Sequence, residues 1–483
     1  MLQWLQIQPC TALPSSDIHV PRTDLSSDAT QGSTSTEVRD GILHTIFEHE
    51  ATGARLDFVS NSGICETTPG VAQHSGYLNV GGKENLFFWF FEARHNATTA
   101  PLAAWFNGGP GCSSMVGLFQ ENGPCNFANS NATAPTLNPY SFNEYANMIY
   151  IDQPIATGFS YGDDNVNSTL SSAPYIWRLL QAFYSQFPQY KNRDFGIFTE
   201  SYGGHYGPQE FASYFEQQNT AIAAGKLKGL NIPLIALGIN NGWYDAILQE
   251  KATVHFSFNN TYKPLISASQ HTSFLKTYTD QCLPLLQQCN ALEGNNTACA
   301  NGQSICYNDI DFSVISVADF DAYDVRAPFN NPLPPKNYMA YLQDDTVVKK
   351  IGAQGMYQEC NAGIYALFQE TGDNSRSILP TLSSVVQSGI QTLIWAGDAD
   401  WICNWFGGLA SAESLTYSGS TAFKKKAVSN YTVNGAAGGT FKTEGNLSWL
   451  RVFGAGHEVP YYQPALALQA FKQTMQKKPI TST

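Results

Sequence analysis

The strongest constraint on the fold is a rhythm. Short apolar runs that end in polar or glycine residues alternate with stretches of helical periodicity. "NLFFWFFEA", "PLAAWFNGG" and "NMIYIDQP" are three such runs between Asn85 and Pro154. They are short, apolar and aromatic, as buried strands are. "APYIWRLLQAFYSQFPQYK" then repeats its apolar residues every three or four positions, which predicts a helix closed by Pro188. "DFGIFTE" is the next strand, "SYGGHYGPQEFASYFEQQN" the next helix and "IPLIALGINNGW" a further strand. Strand, helix, strand, helix, strand is the order of an α/β fold: a central, mostly parallel sheet covered by helices on both faces.

The rhythm breaks from about Tyr244 to Gln358, a loop-rich part with four cysteines within 25 residues and the stretch "APFNNPLPPKNY". It resumes with "QTLIWAGDADWICNW" and "LSWLRVFGAGHEVPYYQPALALQAFKQTM". The expected organisation is therefore a leader or propeptide-like arm over 1–40, a first part of the core over 41–243, an insertion or cap over 244–358, and the rest of the core over 359–483. The arm, rich in Ser, Thr, Pro and Asp, has little periodicity, and structure is expected to begin near "LDFVSNSGICETTPGV".

Composition narrows the class. Apolar residues make up 43% of the 483 and aromatics 13%, which suits a packed globule. Charged residues are few, at 13%, and the net charge of −13 disfavours a nucleic-acid partner. The trio in "FKKKA" reads as a solvated loop. No segment approaches the roughly 18 apolar residues of a membrane span, and the polar end "KKPITST" is no lipid-anchor tail. Seven Asn-x-Ser/Thr sequons, at Asn96, Asn131, Asn167, Asn259, Asn295, Asn430 and Asn446, stand in a chain with ten cysteines. Together they lean toward a secretory route, to the exterior or a vacuole. "MLQWLQIQPCTALPSS" lacks a basic start and an apolar core of ordinary length, so a missing or truncated leader is expected.

Cys282, Cys289, Cys299 and Cys306 are spaced seven, ten and seven apart, which suggests nested bridges, Cys282–Cys306 and Cys289–Cys299. Four cysteines allow three pairings, so spacing alone leaves the choice open. A zinc site is the rival reading, but no Cys-x-x-Cys or neighbouring histidine supports it. With Cys10 assigned to the leader, Cys65, Cys112, Cys125, Cys360 and Cys403 remain, an odd number that leaves one thiol free. No phosphate loop, dinucleotide fingerprint or metal motif is present, so no cofactor and no metal are expected.

Each of three loops after predicted strands carries a different catalytic part. Ser201 sits at a strand-to-helix turn, Asp400 in "WAGDADWIC" and His457 in "FGAGHEVP". A serine hydroxyl is a poor nucleophile until an imidazole takes its proton. The imidazole in turn needs a carboxylate to fix its tautomer. The chain order Ser, Asp, His is that of α/β-hydrolases. The nucleophile-elbow pattern Gly-x-Ser-x-Gly is only half met, because Thr199 replaces the first glycine and Gly203 supplies the second.

"WFNGGPGCSSMVGLFQENGP", "IDQPIATGFSY", "TESYGGHYGP", "WAGDADWICNW" and "GAGHEVPYYQP" together resemble the serine carboxypeptidases of the α/β-hydrolase fold, over roughly Thr67 to Phe471. "GICETTPGV" and "TESYGGHY" look most like the fungal members related to carboxypeptidase S1. The resemblance implies Ser201 as nucleophile, His457 as general base and Asp400 as its orienter. It implies an oxyanion hole from the amides of Gly109 and Tyr202. Asn107, Gly108, Glu121 and Glu200 would receive the substrate's C-terminal carboxylate. It also implies that Cys403 is a buried free thiol beside the site and that Cys65 pairs with Cys125 and Cys112 with Cys360. The implied substrates are peptides or proteins with a free C-terminus.

Two glutamates facing a carboxylate make sense if they lie close, since one then keeps a proton and can donate it. Activity on peptides would then be favoured in acid. Nearby residues have plainer readings: His205 as packing or capping, Asp398 as the weaker rival of Asp400, Asp152 as structural, and Glu458 as facing solvent or a binding subsite. Three functions fit the residues: a carboxypeptidase acting through an acyl-enzyme, an acyltransferase on the same scaffold, or a non-catalytic glycoprotein whose elbow is disabled at Thr199. Asn107, Glu121 and Glu200 favour the first.

Overall fold

The computed structural model describes residues 32–49, 54–163, 165–291, 294–330 and 333–483. Cys10 and most of the expected N-terminal arm lie outside the described residues. Six parallel strands form the centre of the sheet, in the order Asn147–Ile151, Leu102–Phe106, Phe195–Glu200, Leu234–Asn240, Gln391–Gly397 and Leu447–Val452. The predicted α/β-hydrolase architecture is borne out here. Antiparallel strands widen the sheet on both sides. Glu84–Phe91, Gln73–Gly81, Arg55–Ser60, Ile42–His49 and Gly32–Arg39 extend one flank, and Ala436–Glu444 and Ser429–Val433 the other.

The aromatic runs explain why the centre is buried on both faces. Side chains alternate across a strand. Leu86, Phe88 and Phe90 therefore join one apolar layer with Leu102, Ala104 and Phe106, while Phe87, Trp89 and Phe91 join the other with Ala103 and Trp105. The helix Thr169–Gln186 covers the first layer. It opens on a capping box in which Ser168 and Ser171 satisfy each other's backbone N–H, and Pro188 follows its end.

One expectation changes at the N-terminal side. Gly32–Arg39 is a strand paired with Ile42–His49, so the sheet reaches into the segment read as an arm. Its residues "GSTSTEVR" are largely exposed, so no apolar alternation marks it.

Between Asn240 and Gln391 the described residues add no strand to this sheet and are mainly helical. The helices Leu283–Cys289 and Asn296–Cys306 form a hairpin stapled by the nested bridges Cys282–Cys306 and Cys289–Cys299. Cys65 is joined to Cys125 and Cys112 to Cys360; Cys403 is free and buried. No described helix is long and apolar enough to cross a membrane.

Candidate active site

Neighbouring parallel strands deliver Asn107, Ser201, Asn240, Asp400 and His457 to one edge of the sheet, beyond the strands' carboxyl ends. Ser201 leaves Phe195–Glu200 with φ of 62°, the left-handed conformation that a nucleophile elbow imposes on a non-glycine residue. Its N–H donates to the Asn240 carbonyl at 3.0 Å, and its carbonyl accepts from the Trp243 N–H at 2.9 Å.

The turn accommodates Thr199 because Gly203 gives way to it. A Cβ at position 203 would stand 2.4 Å from the Thr199 Cβ, and the Thr199 hydroxyl donates to the Gly203 carbonyl at 2.9 Å. Gly108 is pressed just as closely on the other side. A Cβ there would lie 2.3 Å from the Tyr202 nitrogen. The loop bearing Gly109 therefore runs against the elbow, and Gly109, Ser201 and Tyr202 line the same pocket.

His457 and Asp400 are both buried, with Nδ1 3.0 Å from Oδ2. The same Asp400 oxygen accepts from Asn241 Nδ2 at 2.7 Å and from the Cys403 N–H at 3.1 Å, which fixes the carboxylate. Asn240 links the loops: it takes the Ser201 N–H on its carbonyl and donates its side-chain N–H to the His457 carbonyl at 2.9 Å. Burial opposes a charged imidazole, but Asp400, with Glu200 and Glu458, outweighs it and raises the His457 pKa. Cys403 shares the pocket wall with Ser201, yet burial, followed by Asp400 and Glu200, pushes its thiol up and keeps it from acting as a thiolate.

Next to the elbow lies a buried acid pair. Asn107 Nδ2 donates to Glu121 Oε1 at 3.3 Å and to Glu200 Oε1 at 3.0 Å. The amide cannot turn round, because its oxygen accepts from Trp105 Nε1 at 2.8 Å and from the Gly117 N–H at 2.9 Å. Glu200 also accepts from Asn240 Nδ2 at 2.8 Å. Burial pushes Glu121 up to about 8. Burial and then the neighbouring Glu121 raise Glu200 well above the usual carboxylate range. Glu458 is a third acid at this place: half-buried, held up at about 8 by burial and then by Glu200.

Ser201 also lines a pocket walled in part by the insertion. Trp243, Phe368 and Tyr365 give it apolar walls, while Glu250 and Asp311 reach in from helices of the insertion. Burial, then Asp311, raises the Glu250 pKa, and burial raises that of Asp311. Sequence reasoning missed this second acid pair. Its members are 61 positions apart in a region without strand rhythm, and nothing local marks them as neighbours. It also missed Asn240 and Asn241, for which the only signal was the polar end of "IPLIALGINNGW".

The plainer readings stand where the contacts put them. Asp398 accepts from the Tyr262 hydroxyl, the Gly454 N–H and Arg451, so it is tied up away from His457. Asp152 accepts from the Ser113 hydroxyl and the N–H groups of Ser114 and Phe159, holding a turn. His205 is buried, with Nδ1 2.8 Å from the Trp243 carbonyl and Nε2 3.1 Å from that of Arg376. Asn96, Asn131, Asn167, Asn259, Asn295 and Asn430 are exposed. Asn446 differs, since its side-chain nitrogen donates to the carbonyls of Val386 and Ile390.

The chain is similar to known proteins over most of its length. A model of the serine carboxypeptidase family matches residues 63–477. Carboxypeptidase S1 of Penicillium janthinellum is 62% identical over 426 residues, covering 88% of this chain and all of that protein. Carboxypeptidase S1 homolog A of Arthroderma otae is 34% identical, covering 87% of this chain and 76% of its own. Among solved structures, the Saccharomyces cerevisiae prohormone-processing carboxypeptidase Kex1 superposes with a TM-score of 0.73 at 22% identity. That match covers 85% of this chain and 92% of the other, and it shows a shared fold. The chain belongs to the serine carboxypeptidase family.

Proposed function

We propose that the enzyme releases C-terminal amino acids from peptides through an acyl-enzyme on Ser201, most effectively in acid. His457 takes the hydroxyl proton and returns it to the leaving amine. Asp400 keeps the other proton on Nδ1, leaving Nε2 for the serine. The amides of Gly109 and Tyr202 stabilise the tetrahedral oxyanion, at about 3 kcal/mol per donor. The observation that carries the exopeptidase reading is the pair Glu121 and Glu200, bridged by Asn107 immediately before the nucleophile. With one proton retained, the pair donates to a substrate carboxylate instead of repelling it. Gly108 brings its backbone to the same place.

The second acid pair supports a finer reading. If the pocket that Ser201 shares with Glu250 and Asp311 receives the acyl part of the substrate, a basic side chain before the scissile bond fits it best. The four disulfides and the exposed sequons support a secretory destination, with glycans at the six exposed positions rather than at Asn446.

Blocked dipeptides and a serine-directed phosphonate test the main reading. Labelling of Ser201 with release of the last residue is the expected result. Labelling without release would favour acyl transfer to another acceptor, and no labelling would leave a binding role. Unchanged release by Ser201→Ala would end the proposal.

A further inference from the structure

Tyr202 contributes its amide beside the nucleophile, but its side chain is held as firmly as its backbone. The hydroxyl donates to Asp373 Oδ2 at 2.6 Å, and both residues are buried. The ring stacks on His205 with centroids 4.8 Å apart and planes 22° from parallel, and Phe368 meets its edge at 5.9 Å. Asp373 Oδ2 is fixed in turn by the Thr169 hydroxyl at 2.5 Å and the Thr169 N–H at 3.2 Å, at the start of the helix Thr169–Gln186.

Asp373 stands on a short strap, Gly372 to Ser377, that joins the insertion to the elbow. Gly372 has φ of 62°, and a Cβ there would come within 2.4 Å of the Cys299 and Ala300 backbone. The strap is thus pressed against the disulfide-stapled hairpin. Asn290 of that hairpin donates to the Ser375 carbonyl at 2.9 Å and accepts from the Ser377 N–H at 2.7 Å. On the elbow side, Trp243 Nε1 donates to the Asn374 carbonyl at 2.9 Å, and the Arg376 carbonyl meets His205. Asn374 on the strap, with Phe368 and Gln369 at the end of the helix Ala362–Thr371 just before it, lines the pocket that holds Ser201.

We propose that Asp373 is a positioning residue for the oxyanion hole, acting through the Tyr202 hydroxyl. The ring links this buried carboxylate to the backbone that carries the amide. Moving that amide far would strain or break a buried hydrogen bond of 2.6 Å. A donor misplaced by a fraction of an ångström loses most where charge develops, in the transition state. The defect therefore falls on kcat, with little change in KM. The proposal rests on the reading of Ser201 and Tyr202 given above.

The test uses the full-length enzyme with Tyr202→Phe and Asp373→Asn, singly and together. The readouts are kcat and KM per phosphonate-titrated active site, the rate of phosphonate inactivation, and Tm. The expected result is a kcat lowered at least tenfold in each single variant with KM within threefold. Inactivation should slow in parallel, and the double variant should be no worse than the poorer single. Tyr202→Phe keeps the ring and its stacking, so it carries the test if Asp373→Asn does not fold. A per-site kcat within twofold of the parent in Tyr202→Phe overturns the proposal, whatever happens to Tm. Ser201→Ala separates the two levels: a dead Ser201→Ala beside a normal Tyr202→Phe removes only this inference, whereas an active Ser201→Ala removes the site reading beneath it.

Discussion

Replacing Glu121 by glutamine puts the shared proton of the acid pair to the test. Glu121 is held at about 8 by burial, and Glu200 beside it is raised as well. On the proposed reading, a protonated carboxyl would donate to the substrate's terminal carboxylate below that value. As pH rises through it, the donor would become an anion and repel. Affinity should therefore be present in acid and lost on the alkaline side. Each pH unit above 8 cuts the protonated fraction about tenfold, and kcat/KM with it. The bond at stake, between a carboxyl and a charged carboxylate, is worth about 1.5–3 kcal/mol, which limits the fall from its loss to about 10- to 150-fold. In Glu121→Gln the side-chain amide donates at every pH, so the alkaline slope should flatten. A substrate whose C-terminus is an amide carries no charge and should show little slope with either enzyme. The assay is release of the last residue from a blocked dipeptide, and of its amide from the matching amide substrate, between pH 5 and 9. A KM for the free acid that stays level over that range, or equal slopes for acid and amide, would refute the reasoning.

The pocket that Ser201 shares with Glu250 and Asp311, proposed to receive the acyl side, should show the opposite sign. Its carboxyls attract a basic side chain when ionised, so preference for arginine over leucine before the scissile bond should grow with pH. Glu250→Gln should reduce that preference about tenfold or more, read as a ratio of kcat/KM values, because one charge-assisted contact is worth about 1.5–3 kcal/mol. Asp400→Asn should lower kcat about 10³- to 10⁴-fold with little change in KM, since the imidazole loses the partner that sets its tautomer. Replacing both Cys112 and Cys360 by alanine should cost about 3–5 kcal/mol in denaturant unfolding, because their bridge closes a span of 248 residues.

How much could be read from the chain follows from which contacts are local. The parallel centre was legible because strands buried on both faces must be largely apolar, as "LAAWF" and "LIWAG" are. Gly32–Arg39 was not, because a largely exposed strand that buries no apolar stripe can be spelled with serine, threonine and charge. Ser201, Asp400 and His457 stood out because each ends or follows a strand in an order that the chemistry requires. The hold on Tyr202 was invisible: Asp373 is 171 positions away, and only the folded chain brings the two together. Glu458 was half-read, since adjacency to His457 was plain but its approach to Glu200 was not.

The neighbourly fit of Thr199 and Gly203 carries a lesson about how such sites are searched for and redesigned. Within one turn of chain, the Thr199 side chain fills the space that a side chain at 203 would need, so the limit on this elbow is a shared volume and not a pair of letters. A pattern demanding glycine at both places would pass over this protein. Trimming position 199 to glycine would open a void under the serine, and enlarging 203 without that trimming would drive the turn apart.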